Sequence, residues 1–191
     1  GRPMPTSGRR RSGGDMRTRD GDLTLLSIAQ QPSRVKDMDF APSPRAADLA
    51  EHVRAFIDTE IEPVEPAMLA DVAARRARGE DAWPPPAALA DLAAKARAQG
   101  LWNLFLPAGH GDAHAERFGT DGGKGLTNAG YASIAEQMGR SALAPLVFNC
   151  NAPDTGNMEV LLKYGTPEQQ EQWLDPLLDG RIRSTFLMTE P

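Results

Sequence analysis

Only one stretch of this chain reads as a β-strand, and it is the last. Residues 184–188 set Thr185, Phe186, Leu187 and Met188 in an apolar or β-branched run, and Thr189, Glu190 and Pro191 follow as a Pro-ended turn. A strand needs a neighbour to satisfy its backbone N–H and C=O groups, and even two paired strands are marginal alone. With no second convincing strand, the remainder is expected to fold as helices. The chain is then expected to be a fragment that stops as a β-domain begins. Thr189 and Glu190, at the mouth of the strand, are well placed to meet a ligand.

The helical expectation rests on start and stop chemistry. Ser43-Pro44 supplies an N-cap hydroxyl and a first-turn proline, and Leu49, Val53, Phe56, Ile57 and Ile61 then recur at helical spacing until Pro63 and Pro66. Residues 62–82 are less legible, with helix expected over 70–78. Trp83-Pro84-Pro85-Pro86 is a stiff linker. A second helix spans 87–99, with Leu89, Leu92, Ala93 and Ala96 inward and Gly100 as its stop. The apolar run 101–107 is either a helical turn or a buried extended piece, and residues 108–125 read as a Gly-rich loop. Thr127 caps a helix over 128–138. Residues 144–153 are expected to form a helix buried on most sides, in which Asn149 and Asn151 either bond backbone across an interface or line a cavity, because buried amides are hydrogen-bonded. Residues 154–164 continue helically. Thr166-Pro167-Glu168-Gln169 has the form of a capping box, and Trp173, Leu174, Leu177 and Leu178 follow it. The expected fold is mainly α, about five or six helices over residues 38–182, with 183–191 opening the β-domain.

Composition removes several function classes. A chain of 191 residues is long enough for one domain with its own core. It has no run of 18 apolar residues, so no membrane span is expected, and no signal-peptide core stands near its start. A net charge of -5 argues against a nucleic-acid partner. Cys150 is the only cysteine, which fits a reducing compartment and a cytoplasmic location. Residues 1–37 differ in kind: Arg9-Arg10-Arg11 and further arginines among Gly, Ser and Pro read as a disordered leader. Met38-Asp39-Phe40 is expected to open the folded protein. The stretch from Gly119 to Gly125 is not a phosphate loop, because Lys124 is followed by glycine and no strand precedes it. His110, His114 and Asp112 lack a helix to fix an i, i+4 pair, so no metal site is expected.

Several blocks in order carry a resemblance. Gly100-Leu101-Trp102 leads to Leu106-Pro107, and Glu136-Gln137-Met138-Gly139-Arg140 comes next. Leu162 to Gln170 follows (LKYGTPEQQ), then Pro176 to Gly180 (PLLDG), and finally Phe186-Leu187-Met188-Thr189-Glu190-Pro191. Over residues 38–191 the chain resembles the acyl-CoA dehydrogenase family. Residues 149–159 (NCNAPDTGNME) look more narrowly like the subgroup of family members ten and eleven and their bacterial relatives.

The resemblance implies an N-terminal helical domain, then a β-domain and a helical bundle, with FAD between the last two. It implies α,β-dehydrogenation of an acyl-CoA thioester with hydride passing to FAD, an electron-transfer acceptor, and a homo-oligomer. Phe186, Met188 and Thr189 match positions where the family's strand meets the flavin. Asn149, Asn151 and Thr155 resemble the wall of the acyl cavity. Glu190 matches a structural glutamate, and the catalytic base is expected beyond Pro191, so no residue of this chain is assigned that role. The fragment alone is then expected to be inactive. The alternative is a non-catalytic helical module that binds acyl-CoA or contacts another subunit.

Overall fold

The computed structural model of this protein describes residues 41–80, 87–109, 111–118 and 125–188, which are mainly helical and contain no sheet. Helix α1 (Pro44–Phe56) begins where the sequence implies. The Ser43 hydroxyl accepts from the Ala46 N–H at 3.3 Å, and Pro44 sits in the first turn. Leu49, Val53 and Phe56 are buried, and the helix runs on as a wider π-helical turn, Ile57–Ile61, that buries both isoleucines. Pro66 starts the next helix rather than ending the first, since it lies in the first turn of α2 (Glu65–Ala77). That helix is longer than expected because it is mostly solvated: Met68 is its one buried residue, so little apolar periodicity marks it.

Helix α3 (Ala87–Ala98) buries Leu89, Leu92 and Ala96, and Gly100 beyond it has φ +73°. Residues 101–107 resolve as buried turns. Leu101, Trp102, Leu104, Phe105 and Leu106 are all enclosed, Asn103 has φ +55°, and Pro107 forms an isolated bridge with Leu126. The expected Gly-rich loop contains a short helix, α4 (Asp112–Arg117), held by the Asp112 carboxylate accepting from the Gly125 N–H at 2.8 Å and by buried Ala115.

Helix α5 (Asn128–Met138) opens at Thr127, whose hydroxyl accepts from the Gly130 N–H at 3.1 Å. It lies along α1, so close at Gly130 that an added Cβ would stand 3.3 Å from the Ala46 Cβ. The helix expected over 144–153 shortens to one turn, α6 (Ala144–Val147), because Asn149 adopts φ +54° and turns the chain out of it. Helix α7 (Asp154–Tyr164) buries Met158 and Leu162 but exposes Val160 and Tyr164.

The capping box is present: the Thr166 hydroxyl accepts from the Gln169 N–H at 3.3 Å, and the Gln169 side chain accepts from the Thr166 N–H at 2.9 Å. Helix α8 (Pro167–Gln169) then passes through a π-helical turn, Gln170–Leu174, into α9 (Asp175–Leu178). The core sits between the α1–α5 pair and residues 148–178, with fully buried Phe148 edge-on to Phe56 at 5.4 Å.

The expected strand is not formed. Residues 183–188 pair with no neighbour among the described residues, as an unpartnered strand should not. Residues 1–40, with the expected start at Met38, the linker 83–86, His110, residues 119–124 and residues 189–191, Thr189 among them, lie outside the described residues.

Candidate functional site

The site is built on two asparagines that share an unusual backbone. Asn103 and Asn149 both have positive φ, a region where asparagine is several-fold enriched, and both are fully buried. Asn149 Nδ2 donates to Asn103 Oδ1 at 2.8 Å and to the Leu177 carbonyl at 3.0 Å. Asn103 Nδ2 and Trp102 Nε1 each donate to the Leu178 carbonyl at 2.8 Å. These carbonyls close α9, where the helix has no donors of its own to offer. The amide pair therefore caps one helix while joining loops 101–107 and 148–151.

The remaining acceptor of Asn149 reaches outward. Arg183 Nη1 donates to Asn149 Oδ1 at 2.6 Å, to Asn151 Oδ1 at 3.2 Å and to Asp154 Oδ2 at 3.2 Å. Asp154 stands at the start of α7, where the helix dipole favours a negative charge, and is 1 % exposed. Its Oδ1 accepts from the Ser184 N–H at 2.7 Å and the Ser184 hydroxyl at 2.6 Å, and its Oδ2 also accepts from Asn151 Nδ2 at 3.1 Å. Both oxygens are thus fully engaged, as a buried carboxylate requires.

Arg183 and Ser184 form a ridge between two grooves of about 360 Å³ each. One is lined by Leu146, Asn151, Pro153 and Asp154, the other by Asn157, Val160, Leu161 and Trp173. A larger cleft of about 720 Å³ lies between α3 and residues 179–183, but its charges are consumed internally: Asp179 pairs with Arg97 at 2.6 Å and Arg181 at 2.9 Å.

Of the residues expected from the sequence, Asn149 and Asn151 meet at Arg183, Asn149 from within the core and Asn151 from the wall of a groove. Thr155 is half-buried in the first turn of α7, gives its N–H to the Asn151 carbonyl and lines neither groove. Phe186 and Met188 lie just beyond the ridge, 62 % and 73 % exposed. Both apolar side chains are largely open to solvent at the end of the described residues. Thr189 lies outside them. Sequence reasoning missed Asp154, Arg183, Ser184 and Asn103. The available signal was that buried amides at Asn149 and Asn151 demand polar partners.

Burial also sets the titration of two groups behind the site. Cys150, directly after Asn149, is pushed up to about 11 chiefly by burial, while hydrogen bonds from Tyr131 and the backbone at Leu104 and Phe105 partly oppose this. The Tyr131 hydroxyl is raised as well, first by burial and then by Cys150. His114 is held below the usual histidine range by burial, against the pull of Asp175, and its Nδ1 is buried without a partner. No cluster of three His, Cys, Asp or Glu suited to a metal occurs among the described residues, and none of the helices described is long and apolar enough to cross a membrane.

Residues 43–181 match the family model described as acyl-CoA dehydrogenase, N-terminal domain. The chain is 48 % identical over 149 residues to acyl-CoA dehydrogenase family member 10 of Mus musculus, covering 78 % of this chain and 13 % of that protein. It is 41 % identical over 166 residues to family member 11 of Rattus norvegicus, covering 87 % and 19 %. A solved structure of a "putative acyl-CoA dehydrogenase" from Mycobacterium abscessus superposes with a TM-score of 0.66 at 55 % identity, covering 79 % of this chain and 35 % of that one. The chain therefore spans a fifth or less of these curated relatives and about a third of the solved one. With helices, capping signals and family model coinciding over the same residues, this chain belongs to the acyl-CoA dehydrogenase family, whose N-terminal domain it contains.

Proposed function

We propose that this chain is the substrate-side helical part of an FAD-dependent acyl-CoA dehydrogenase, an oxidoreductase acting on the α,β-carbons of an acyl-CoA thioester. The observation that carries this is the family match over residues 43–181, which ends two residues before the ridge at Arg183. FAD, when bound, supplies the hydride acceptor. Phe186, Met188 and Thr189 are the residues proposed to hold one face of it. Asn151 is proposed to border the acyl group, with Thr155 acting through the Asn151 carbonyl and Asn149 through Arg183. Asp154 is the carboxylate that lines one of the grooves, yet it already accepts from four donors and has no free lone pair aimed outward. The base for the α-proton is therefore proposed to come from another part of the complete polypeptide. Electrons would leave to an electron-transfer acceptor, in a cytoplasmic homo-oligomer.

The test is to purify the complete polypeptide that carries this chain and record its visible spectrum. A yellow protein whose flavin band bleaches on anaerobic addition of acyl-CoA is the expected result. A colourless, inert protein would sink the proposal. Acyl-CoA binding without bleaching would favour a non-catalytic helical binding module.

A further inference from the structure

Residues 183, 184 and 185 are each held from α7 or the loop that leads into it, and among the described residues nothing holds the backbone after them. Arg183 is shared by Asn149, Asn151 and Asp154. The backbone N–H and hydroxyl of Ser184 both end on Asp154 Oδ1. Asn157, three residues on in α7, donates to the Ser184 hydroxyl at 2.9 Å and to the Thr185 carbonyl at 3.4 Å. Beyond Thr185 no hydrogen bond between described residues engages the backbone, and Phe186, Leu187 and Met188 stand exposed.

The helical core does not require this arrangement. Its last buried side chains are Leu177 and Leu178, and the three held residues add no buried apolar side chain to it. Removing a carboxylate from water is unfavourable unless every lone pair is matched, and apolar residues close such a site at least as well. What a fully matched carboxylate provides is direction. Two bonds from one oxygen to the N–H and hydroxyl of a single residue fix that residue's backbone, and with it the heading of the chain beyond. In an extended segment a slip of one residue exchanges the two faces, so Thr185 and Leu187 would replace Phe186 and Met188.

We propose that Asp154 is a positioning residue, which with Asn157 fixes the point and heading at which residues 185–188 leave the helices and so selects the face that carries Phe186 and Met188. The proposal rests on the reading of that face as a wall of the flavin site.

Two variants of the complete polypeptide test it: Asp154→Asn, and the double change Asn157→Ala with Ser184→Ala, which leaves the charge of Asp154 in place should the first fail to fold. Hydrogen exchange is followed by peptide, alongside the flavin absorption band, the reduction potential and kcat against KM for acyl-CoA. In both variants the amide at position 184 should exchange about tenfold faster while α1 and α5 keep wild-type protection. The flavin band and potential should shift, and kcat should fall about tenfold with KM changed less than about twofold. Variants that loosen this amide yet keep the wild-type band, potential and kcat would overturn the positioning role, as would a Ser184 amide no better protected in the wild type than Phe186. A colourless wild type with a protected Ser184 would overturn the flavin reading instead, and the proposal with it.

Discussion

Asn103 shows how much one residue can hold. Its positive φ, its amide on the Leu178 carbonyl and its bond from Asn149 depend on one another. Asn103→Ala is expected to cost about 2–4 kcal/mol, since it both strains a left-handed backbone position and leaves buried partners unmatched. Asn103→Gly, which removes only the second effect's remedy and not the backbone freedom, should cost less, and urea midpoints of the two variants check the order. Asp154→Asn should destabilise by about 2–3 kcal/mol, below the value for a wholly buried pair because Arg183 keeps some solvent contact. Cys150 gives a pH prediction with a definite sign. Its thiol keeps its proton to about pH 11 when folded, against an ordinary value of 9.0, so the unfolded chain loses the proton first. The stability it contributes is complete below about pH 9 and is lost as pH rises towards 11. Tyr131, raised in the same direction, adds to this. Urea midpoints across that interval should fall, and Cys150→Ala should flatten the drop.

Helix starts with a side-chain cap were legible in the sequence, and those without were legible less uniformly. Ser43, Thr127 and Thr166 each accept from the backbone at the expected residue, and α1, α5 and α8 begin there. Helices α2, α4, α6, α7 and α9 have no side-chain cap; α2, α4 and α6 were misjudged or missed in extent, whereas apolar spacing alone marked α7 over the residues it occupies. The same contrast ranks two substitutions. Thr166→Ala should cost about 1 kcal/mol, the ordinary value for an exposed cap. Leu177→Ala should cost about 2–5 kcal/mol through the cavity it leaves in the core. Thermal melts that place the two changes in the opposite order would show that α9 is held by its carbonyl caps at Leu177 and Leu178 rather than by packing.

At the scale of the whole molecule, the described residues leave an apolar surface unfinished. Val160 and Trp173 line one groove together with Thr185, and Tyr164, Phe186, Leu187 and Met188 are exposed as well. Single exposed apolar residues are ordinary, but a group of large ones marks a surface that meets something. The isolated chain is therefore expected to self-associate, seen as a sedimentation coefficient that rises with concentration, and Val160→Ser with Trp173→Ser should lower that dependence. A wild-type chain that stays monomeric at high concentration contradicts the expectation.

The sequence by itself determined the fold class, the capped helices and the family, because caps, apolar spacing and ordered motifs are local and survive without a partner. Tertiary structure alone decided that the helix after Ala144 stops at one turn, that Asn149 belongs to the core while Asn151 reaches a groove, and that Asp154 gathers Arg183 and Ser184 from thirty residues away. Those outcomes turn on backbone conformation and on which donors meet which acceptors in space, and neither is written in the spacing of residues along a chain.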